Sequence, residues 1–457
     1  MKYHSVIVGG GPAGIITALT AKNVYPEKSV CVIKEIGDGV IPCAIPYMIH
    51  RMSDPRQNTM GNAPLEKAGV EVLVGKAVSL DTKTNTLRLE SGEKITYEKL
   101  VLATGTSPTL PPVPGIDGPG VFTIEKSLTA MTALREEARK AKKVVILGGG
   151  FMGAEFADEL ARQSDCQVHI VEMMPKILNL AFDDEFCDEI ANQLTGKGVT
   201  LHTGRRAISL EGDNGRKSVK LDNGESLDTD IVIMGVGGRP NIALAKEAGL
   251  LTTDGGSIWV DSYMRTKVKN VFAVGDCAVK RDFFTRDEVP VWLASTATAE
   301  ARIAGTNLDE IRILRQIQGT ISAFSTKIGG VSFASAGLTV RTCEKQGIRF
   351  ITGETVAPDR HPGTLPGASP LKVKLVFADK GGALLGGQVS GGFSVGELIN
   401  AIAIGIQMKL NVRELDMMQI ATHPLLSSAP TVHPLITSAD QALGKLRAAH
   451  RRSTAGM

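Results

Sequence analysis

The chain has 457 residues, of which 43% are hydrophobic and 22% are charged, a composition ordinary for a globular protein of two or three domains. Lys and Arg number 51 against 48 acidic residues, and a net charge of +3 is too small to predict a nucleic-acid partner. No apolar run reaches the roughly 18 residues that a membrane span needs.

The six cysteines form no CxxC pair and no Cys/His spacing of a metal site. The sequence therefore predicts no bound metal and a reducing location, which we take to be the cytoplasm.

Two segments share one pattern, a β-branched apolar run, a glycine-rich turn and a helical stretch. They are HSVIVGGGPAGIITALTA and KVVILGGGFMGAEFADEL, and the second shows that the first is an internal fold rather than a signal peptide. Two GxGxxG turns in this context predict two dinucleotide-binding units, each with a helix N-terminus facing a pyrophosphate. The spaced glycines are Gly9, Gly11 and Gly14 in the first unit and Gly148, Gly150 and Gly153 in the second.

An acidic residue about twenty positions beyond the turn is expected to bind the adenosine ribose of a dinucleotide. Glu172 meets this requirement in the second unit, and Met173 and Met174 follow it where an arginine would favour a 2′-phosphate, so NADH is preferred over NADPH. In the first unit Glu35 is the candidate, although Lys34 occupies what could be the strand end and Glu35 could be a solvated charge.

The stretch GVIPCAIPY places Cys43 between two prolines, and a residue that precedes a proline is pushed toward extended conformations. We therefore expect Ile41 and Ile45 to be non-helical and Cys43 to lie at a bend. Taken alone, Cys43 could be a small apolar core residue, as most free cysteines are.

Three further strand ends complete the pattern: YEKLVLATGTSP, DIVIMGVGGRPN and KNVFAVGDCA. With both glycine turns, the chain resembles the pyridine nucleotide-disulfide oxidoreductases over nearly all of residues 1–445. The resemblance implies FAD in the first unit, NADH in the second, and a hydrogen bond from the flavin's ribityl chain to Asp276. The other cofactor-binding positions that it implies are Pro12, Ala13, Ala103, Thr104, Gly105, Glu155 and Gly237.

The same resemblance implies an α/β fold with two Rossmann-like dinucleotide-binding domains and an α+β C-terminal dimerisation domain. The FAD domain would cover residues 1–112 and resume at 242–325, with the NADH domain inserted at 113–241. The dimerisation domain would cover 326–445, followed by a basic flexible tail at 446–457, and the protein would be a homodimer.

In this family a cysteine next to the flavin carries the redox chemistry, and many members have a second one spaced CxxxxC. Here the positions five residues before and after Cys43 are Asp38 and Met48. CAIPY instead resembles the single-cysteine branch, which includes coenzyme A disulfide reductases, NADH oxidases and NADH peroxidases. Cys43 is then the redox-active residue, while packing is expected for the cysteines at 31, 166, 187 and 277.

The sequence says less about which electron acceptor the protein reduces. Pro12 stands where oxygen- and peroxide-reducing members carry a histidine, and the C-terminal segment ATHPLLSSAPTVHPL lacks the tyrosine of coenzyme A disulfide reductases. His423 or His433 could handle the proton instead, or these His-Pro pairs could simply shape a loop. Lys22 lies where related enzymes present basic residues to coenzyme A phosphates. The alternative is that Lys22 is a solvated lysine at the end of a helix.

The leading hypothesis is an NADH-dependent flavoenzyme that reduces persulfides, polysulfides or small disulfides, including those derived from coenzyme A. The alternatives are an NADH oxidase that reduces oxygen and a non-catalytic flavin redox sensor or electron carrier.

Overall fold

The computed structural model describes residues 1–212, 217–312, 314 and 316–455 of the chain. The chain forms two compact units, and each contains one of the glycine turns. Unit 1 comprises Met1–Ala141 and Val236–Thr320, and unit 2 comprises Lys142–Gly235 and Ile321–Met457. Residues 113–141, predicted to open the NADH domain, therefore belong to unit 1.

A strand, a helix and a second strand follow one another at each glycine turn, as the glycine-turn pattern predicts. The strands are β1 (Lys2–Val8), β2 (Val30–Lys34), β3 (Glu71–Val74), β4 (Ala77–Asp81), β5 (Thr86–Leu89), β6 (Lys94–Leu102), β7 (Thr106–Pro108), β8 (Val121–Thr123), β9 (Lys143–Leu147), β10 (Gln167–Glu172), β11 (Thr200–Thr203), β12 (Ala207–Glu211), β13 (Lys217–Leu221), β14 (Ser226–Thr229), β15 (Ile231–Met234), β16 (Gly238–Pro240), β17 (Val271–Ala273), β18 (Phe324–Ile328), β19 (Val331–Gly337), β20 (Phe350–Pro358), β21 (Pro370–Ala378) and β22 (Leu384–Gly391). The α-helices are α1 (Pro12–Val24), α2 (Ala63–Lys67), α3 (Leu128–Lys140), α4 (Phe151–Leu160), α5 (Asp184–Thr195), α6 (Ala243–Glu247), α7 (Ala294–Thr306), α8 (Val340–Lys345), α9 (Val395–Gln407), α10 (Val412–Asp416) and α11 (Pro434–Ala455).

Unit 1 is built on a mainly parallel sheet. Its parallel strands run in the order β3-β2-β1-β6-β17, and β5 and β4 add an antiparallel edge. All five residues of β2 are buried, as expected for a parallel strand covered on both faces. Helix α7 packs closely on α1 at Gly305, where a Cβ would lie 2.9 Å from the carbonyl oxygen of Thr17. Because β1, β6 and β17 are parallel neighbours, their carboxyl ends meet at one edge of the sheet, where ligands bind in such folds.

Unit 2 combines a parallel and an antiparallel part. The strands β11-β10-β9-β15 are parallel, and β12-β13-β14 form a small antiparallel sheet. The C-terminal region forms a five-stranded antiparallel sheet in the order β18-β19-β22-β21-β20. Helices α9 and α11 pack against this sheet, which gives the α+β region that the resemblance implies.

The C-terminal region differs from the predicted flexible tail. Helix α11 continues to Ala455, so the predicted boundary at residue 446 has no counterpart in the secondary structure. Within the described ranges, none of the helices combines the length and apolarity that a membrane crossing requires.

A buried ion pair supports the turn between β17 and the next segment of unit 1. The side chains of Lys280 and Glu300 are 2% and 3% exposed, and their charged atoms lie 3.0 Å apart. Glu300 accepts a hydrogen bond from the Gly275 amide, and Lys280 donates to the carbonyl oxygens of Gly275 and Ala278. The pair therefore fixes both polar groups of Gly275, the residue directly before Asp276.

We expect Lys280→Met to lower the free energy of unfolding by about 3 to 5 kcal/mol, because it leaves the Glu300 carboxylate buried without its counter-charge. The double variant Lys280→Met with Glu300→Gln should lose much less, since the amide oxygen can still accept from Gly275. Urea unfolding in excess FAD measures both. Equal losses in the single and double variants would contradict this account.

Candidate active site

The first glycine turn can be built only from glycine at two of its positions. Gly9 has a φ of +126°, and a Cβ there would lie 2.0 Å from the Ala103 carbonyl oxygen. A Cβ on Gly14 would lie 1.9 Å from the carbonyl oxygen of Gly9. A side chain at Gly9 or Gly14 would therefore prevent the close backbone contacts that join β1, β6 and the start of α1.

Gly11 serves a different purpose. No atom lies within 4 Å of the place where its Cβ would be, and α1 begins at Pro12 without a side-chain cap. The first turn of a helix has amide groups without intrahelical partners, and an open helix N-terminus attracts phosphate. Pro12 and Ala13 form this first turn, so the cradle fits the pyrophosphate of a dinucleotide.

Unit 2 repeats this geometry. Gly148 has a φ of +106°, and a Cβ on Gly153 would lie 2.0 Å from the Gly148 carbonyl oxygen. Gly150 again faces open space, and α4 begins at Phe151 without a side-chain cap. The second cradle fits a second pyrophosphate.

Glu172 ends β10 with its carboxylate fixed in place. The carboxylate accepts hydrogen bonds from the amides of Gly149, at 2.6 Å, and Met174, at 2.7 Å. Met173 is 67% exposed, so no positive charge occupies the position directly after the acid. This arrangement suits ribose hydroxyl donors and disfavours a 2′-phosphate.

Glu35 does not occupy the corresponding position of unit 1. β2 ends at Lys34, which is 3% exposed, whereas the Glu35 side chain is 64% exposed and lies 3.2 Å from Lys76. A ribose contact by Glu35 stays a prediction, and the structure places Lys34 next to the glycine turn.

The predicted ATG turn is locked to the segment that follows Gly237. The Thr104 hydroxyl donates to the Asn241 carbonyl oxygen, and the Asn241 side-chain amide donates to the Thr104 carbonyl oxygen. Gly105 and Gly237 both have a positive φ, and the strands β7 and β16 pair directly beside them. Ala103, Thr104 and Gly105 therefore line the same sheet edge as the first glycine turn.

Asp276 lies at this edge as well. Gly275 has a φ of +72°, and a Cβ there would lie 2.7 Å from the Cβ of Ala13, so the turn packs on the start of α1. The Asp276 carboxylate accepts from the Thr106 hydroxyl at 3.2 Å and lies 3.9 Å from the Lys126 ammonium. Unit 1 thus brings together the glycine turn, the ATG turn and Asp276, as required for a bound FAD.

Cys43 lies on a short 3-10 turn, Pro42–Ala44, and is exposed. Ile41 is extended, as predicted. The expectation for Ile45 is wrong: its φ and ψ of −56° and −48° are helical, because the chain passes directly into a second 3-10 turn at Pro46–Met48. The bend at Cys43 is confirmed.

Two polar residues that the sequence did not single out hold this bend. Asn58, 1% exposed, donates from its side chain to the Ile41 carbonyl oxygen, and its own carbonyl oxygen accepts from the Ile41 amide. Asp38 accepts from the amide and the hydroxyl of Thr129 at the start of α3, and these hydrogen bonds keep the pKa of its carboxyl below the usual value. No local sequence signal marks the buried Asn58 amide, whereas the position of Asp38, five residues before Cys43, could have drawn attention to it.

The other cysteines are withdrawn from solvent to different extents. Cys166 is half-buried, and the remaining four are buried. Burial raises the thiol pKa of Cys31, Cys187 and Cys343 to about 12, that of Cys166 to about 11, and also that of Cys277. A thiolate is the reactive form, so these five residues are suited to packing.

Glu155, in the first half of α4, is a buried acid. Burial raises the pKa of its carboxyl to about 7. A hydrogen bond of 2.7 Å from the Thr326 hydroxyl acts in the opposite direction and offsets part of this rise. It lies one turn after the second cradle, where the resemblance places a cofactor contact.

The two candidate histidines differ in environment. His423 is exposed, and its Nδ1 accepts a hydrogen bond from the Leu425 amide at 3.2 Å, which leaves the proton of a neutral ring on Nε2. His433 is 8% exposed, burial lowers its pKa, and its carbonyl oxygen accepts from two amides at the start of α11. His423 therefore suits proton transfer, and His433 suits a structural role at the helix start.

The ammonium of Lys22 donates to the carbonyl oxygens of Pro26 and Lys28 at 2.8 and 2.9 Å. A contact with coenzyme A phosphates would compete with these bonds and stays a prediction. Within the described residues, no cluster of three or more His, Cys, Asp or Glu side chains is arranged to hold a metal ion.

Comparison with known proteins places this geometry in one family. Residues 3–301 match the pyridine nucleotide-disulphide oxidoreductase family, and residues 324–433 match the dimerisation domain of the same family. The chain belongs to this family. The two dinucleotide sites and the C-terminal dimerisation domain predicted from the sequence are thereby confirmed, and the family uses FAD and NAD(P)H.

Two kinds of name recur among the similar proteins. The chain is 34% identical to an NAD(P)H coenzyme A polysulfide/persulfide reductase of Pyrococcus horikoshii, over 86% of this chain and 88% of that protein. It is 30% identical to an NADH oxidase of Methanocaldococcus jannaschii, over 97% and 99% of the two chains. Among solved structures, an NAD-dependent persulfide reductase from A. fulgidus is 27% identical with a TM-score of 0.89, over 97% of this chain and 83% of that one.

We predict that the buried Glu155 carboxyl lowers the free energy of unfolding as the pH rises. Its pKa lies above the ordinary 4.5 in the folded state, so the unfolded chain ionises first as the pH rises, and stability falls between about pH 4.5 and 7. Glu155→Gln should remove this loss and stabilise the protein by up to about 3 kcal/mol at pH 8, with little effect at pH 4.5.

Thermal unfolding without nicotinamide, at several pH values, measures the difference. Glu136→Gln, at an exposed position on α3, is the control and should show the same small difference from the wild type at each pH. A Glu155→Gln effect that does not change with pH would contradict the prediction.

We also predict that Glu172 selects NADH. Glu172→Ala should lower kcat/KM for NADH by about tenfold or more, because hydrogen bonds to a charged acceptor are lost. It should raise kcat/KM for NADPH, because repulsion of the 2′-phosphate is relieved. Met173→Ala, at the exposed neighbouring position, is the control and should leave kcat/KM unchanged for both NADH and NADPH. Equal kcat/KM for the two nucleotides in the wild type would overturn the assignment.

Proposed function

We propose that this protein passes electrons from NADH through FAD to Cys43, which reduces a persulfide, a polysulfide or a small disulfide in the cytoplasm. The observation that carries the proposal is the contrast among the six cysteines. Cys43 is exposed on a braced bend in the FAD-binding unit, whereas burial raises the pKa of the other five thiols.

The chemistry follows from a single sulfur. The Cys43 thiolate attacks the S–S bond of the substrate, forms a mixed disulfide and releases one thiolate or hydrosulfide. Without a second cysteine to resolve it, the mixed disulfide must be split by two electrons from outside. FAD held by the first cradle would supply these two electrons, which originate from NADH.

The reaction balances with groups already named. For a disulfide RSSR, NADH and one proton give two thiols and NAD⁺. For a protonated persulfide RSSH, NADH gives a thiol, hydrosulfide and NAD⁺, and no further proton is needed.

The chain's own residues position these steps. Asn58 and Asp38 hold the Cys43 bend, the first cradle and Asp276 would hold FAD, and Glu172 would hold NADH. We propose a homodimer in which His423, exposed in the dimerisation domain, exchanges a proton with the leaving sulfur at Cys43 of the partner subunit.

The names of the similar proteins favour a sulfur substrate attached to coenzyme A. An NADH oxidase is the second candidate, because a protein of that name is 30% identical over 97% of this chain. Pro12 has no side-chain proton to give where oxygen-reducing members carry a histidine, which favours sulfur as the acceptor.

The decisive variant is Cys43→Ser. Serine has no thiolate and forms no mixed disulfide, so we expect anaerobic reduction of coenzyme A persulfide, polysulfide or coenzyme A disulfide to fall by several orders of magnitude. Bleaching of the flavin by NADH should persist, because neither cradle is altered. Stopped-flow absorbance separates the two half-reactions.

Cys166→Ser, which removes the half-buried thiol, is the control and should retain turnover within a few-fold. Wild-type anaerobic turnover in Cys43→Ser would show that the flavin reduces the acceptor directly. Strict dependence of NADH consumption on oxygen would instead support the oxidase, and no turnover with any acceptor would support a redox sensor.

A further inference from the structure

The two dinucleotide units can be placed in register through their hydrogen bonds. The Gly9 amide donates to the Ile33 carbonyl oxygen at 2.8 Å, and the Gly148 amide donates to the Val171 carbonyl oxygen at the same distance. The next residue in each unit is the last of its strand, and these residues are Lys34 and Glu172.

Both of these side chains pass over the middle glycine of the turn. A Cβ on Gly10 would lie 2.3 Å from Cγ and 2.7 Å from Cε of Lys34. A Cβ on Gly149 would lie 3.1 Å from Cβ and 3.2 Å from Cγ of Glu172. Lys34 therefore occupies in unit 1 the place that the acid occupies in unit 2.

The Lys34 ammonium is buried and only partly used. It donates to the Asn62 side-chain oxygen at 2.9 Å, the one hydrogen-bond partner that it has among the described residues. An ammonium group carries three donors, and burial of a charge is costly unless those donors find acceptors. Burial lowers the pKa of Lys34, which nearby Asp38 partly offsets.

We infer that Lys34 is the ribose-binding residue of the FAD site, and that it donates hydrogen bonds to the adenosine hydroxyl oxygens where Glu172 accepts them in the NADH site. A ribose hydroxyl is both donor and acceptor, so either charge can bind it. The two sites of one chain then recognise the same sugar with opposite charges. On this inference Glu35, which is exposed and paired with Lys76, does not make the ribose contact predicted from the sequence.

The first test is flavin affinity. The full-length chain is stripped of flavin and titrated with FAD and, separately, with FMN, which lacks the adenosine. Lys34→Met keeps the methylene stem over Gly10 and should weaken FAD binding about tenfold or more, since a charge-assisted hydrogen bond is lost. FMN binding should stay within twofold of wild type.

Glu35→Gln is the matched comparison, and it should leave FAD affinity within twofold. Unchanged FAD affinity in Lys34→Met, or a loss confined to Glu35→Gln, would overturn the inference. An equal loss of FAD and FMN would also overturn it, because the lysine would then support the fold rather than the adenosine.

The second test is charge selectivity, read as competition with FAD for the stripped chain. In the wild type, 2′-phospho-ADP should compete at least as well as ADP, because an ammonium tolerates the added phosphate. In Lys34→Glu it should compete at least tenfold less well than ADP. The same ratio in both proteins would place the ribose away from residue 34. FAD fluorescence reports both tests independently of sulfur turnover, so a failed inference leaves the role of Cys43 intact.

Discussion

The functional architecture depends on backbone approaches that only glycine permits. At Gly14 and Gly153 a Cβ would lie 1.9 and 2.0 Å from a carbonyl oxygen of the same turn, well inside any contact distance. The absence of these Cβ atoms lets each helix begin directly at the edge of its parallel strands. Gly11 and Gly150 then leave that edge open, and the amide groups of the helix N-terminus face the space where a pyrophosphate binds.

Exposure separates Cys43, the proposed reactive residue, from the five other cysteines. The buried cysteines lie in strands, helices or the turn after Asp276, where a thiolate would be desolvated and the thiol stays protonated. Cys43 lies on a short 3-10 turn; the preceding residue Ile41 is held by the buried Asn58 amide, and Asp38, earlier in the same segment, is bound to the start of α3. A single exposed thiol on a hydrogen-bonded turn suits exchange with a small sulfur compound, because the attacking atom is accessible.

Buried charges serve as positioning elements in unit 1. The Lys280–Glu300 pair fixes the amide and carbonyl of Gly275, so Asp276 is presented at the sheet edge in one orientation. Lys34 adds a second buried charge beside the glycine turn. Such charges carry a desolvation cost, and their location next to the predicted flavin contacts is consistent with a role in binding rather than in stability alone.

The sequence by itself determined the two glycine turns, the order of the domains, the family and the single candidate cysteine. These features depend on local chemistry. A turn with a positive φ needs glycine, and the lack of a second cysteine at CxxxxC spacing is read directly from the residues around Cys43. Counting residues from the turn also identified Glu172 correctly as the strand-ending acid, whereas in the first unit it selected Glu35, which follows the strand-ending residue Lys34. Only the tertiary structure decided that Lys34 ends the strand and covers Gly10, that Asn58 holds the Cys43 bend, and that His433 is buried while His423 is exposed. Those properties arise where distant segments pack together, and neither spacing nor composition records which side chain then faces the site.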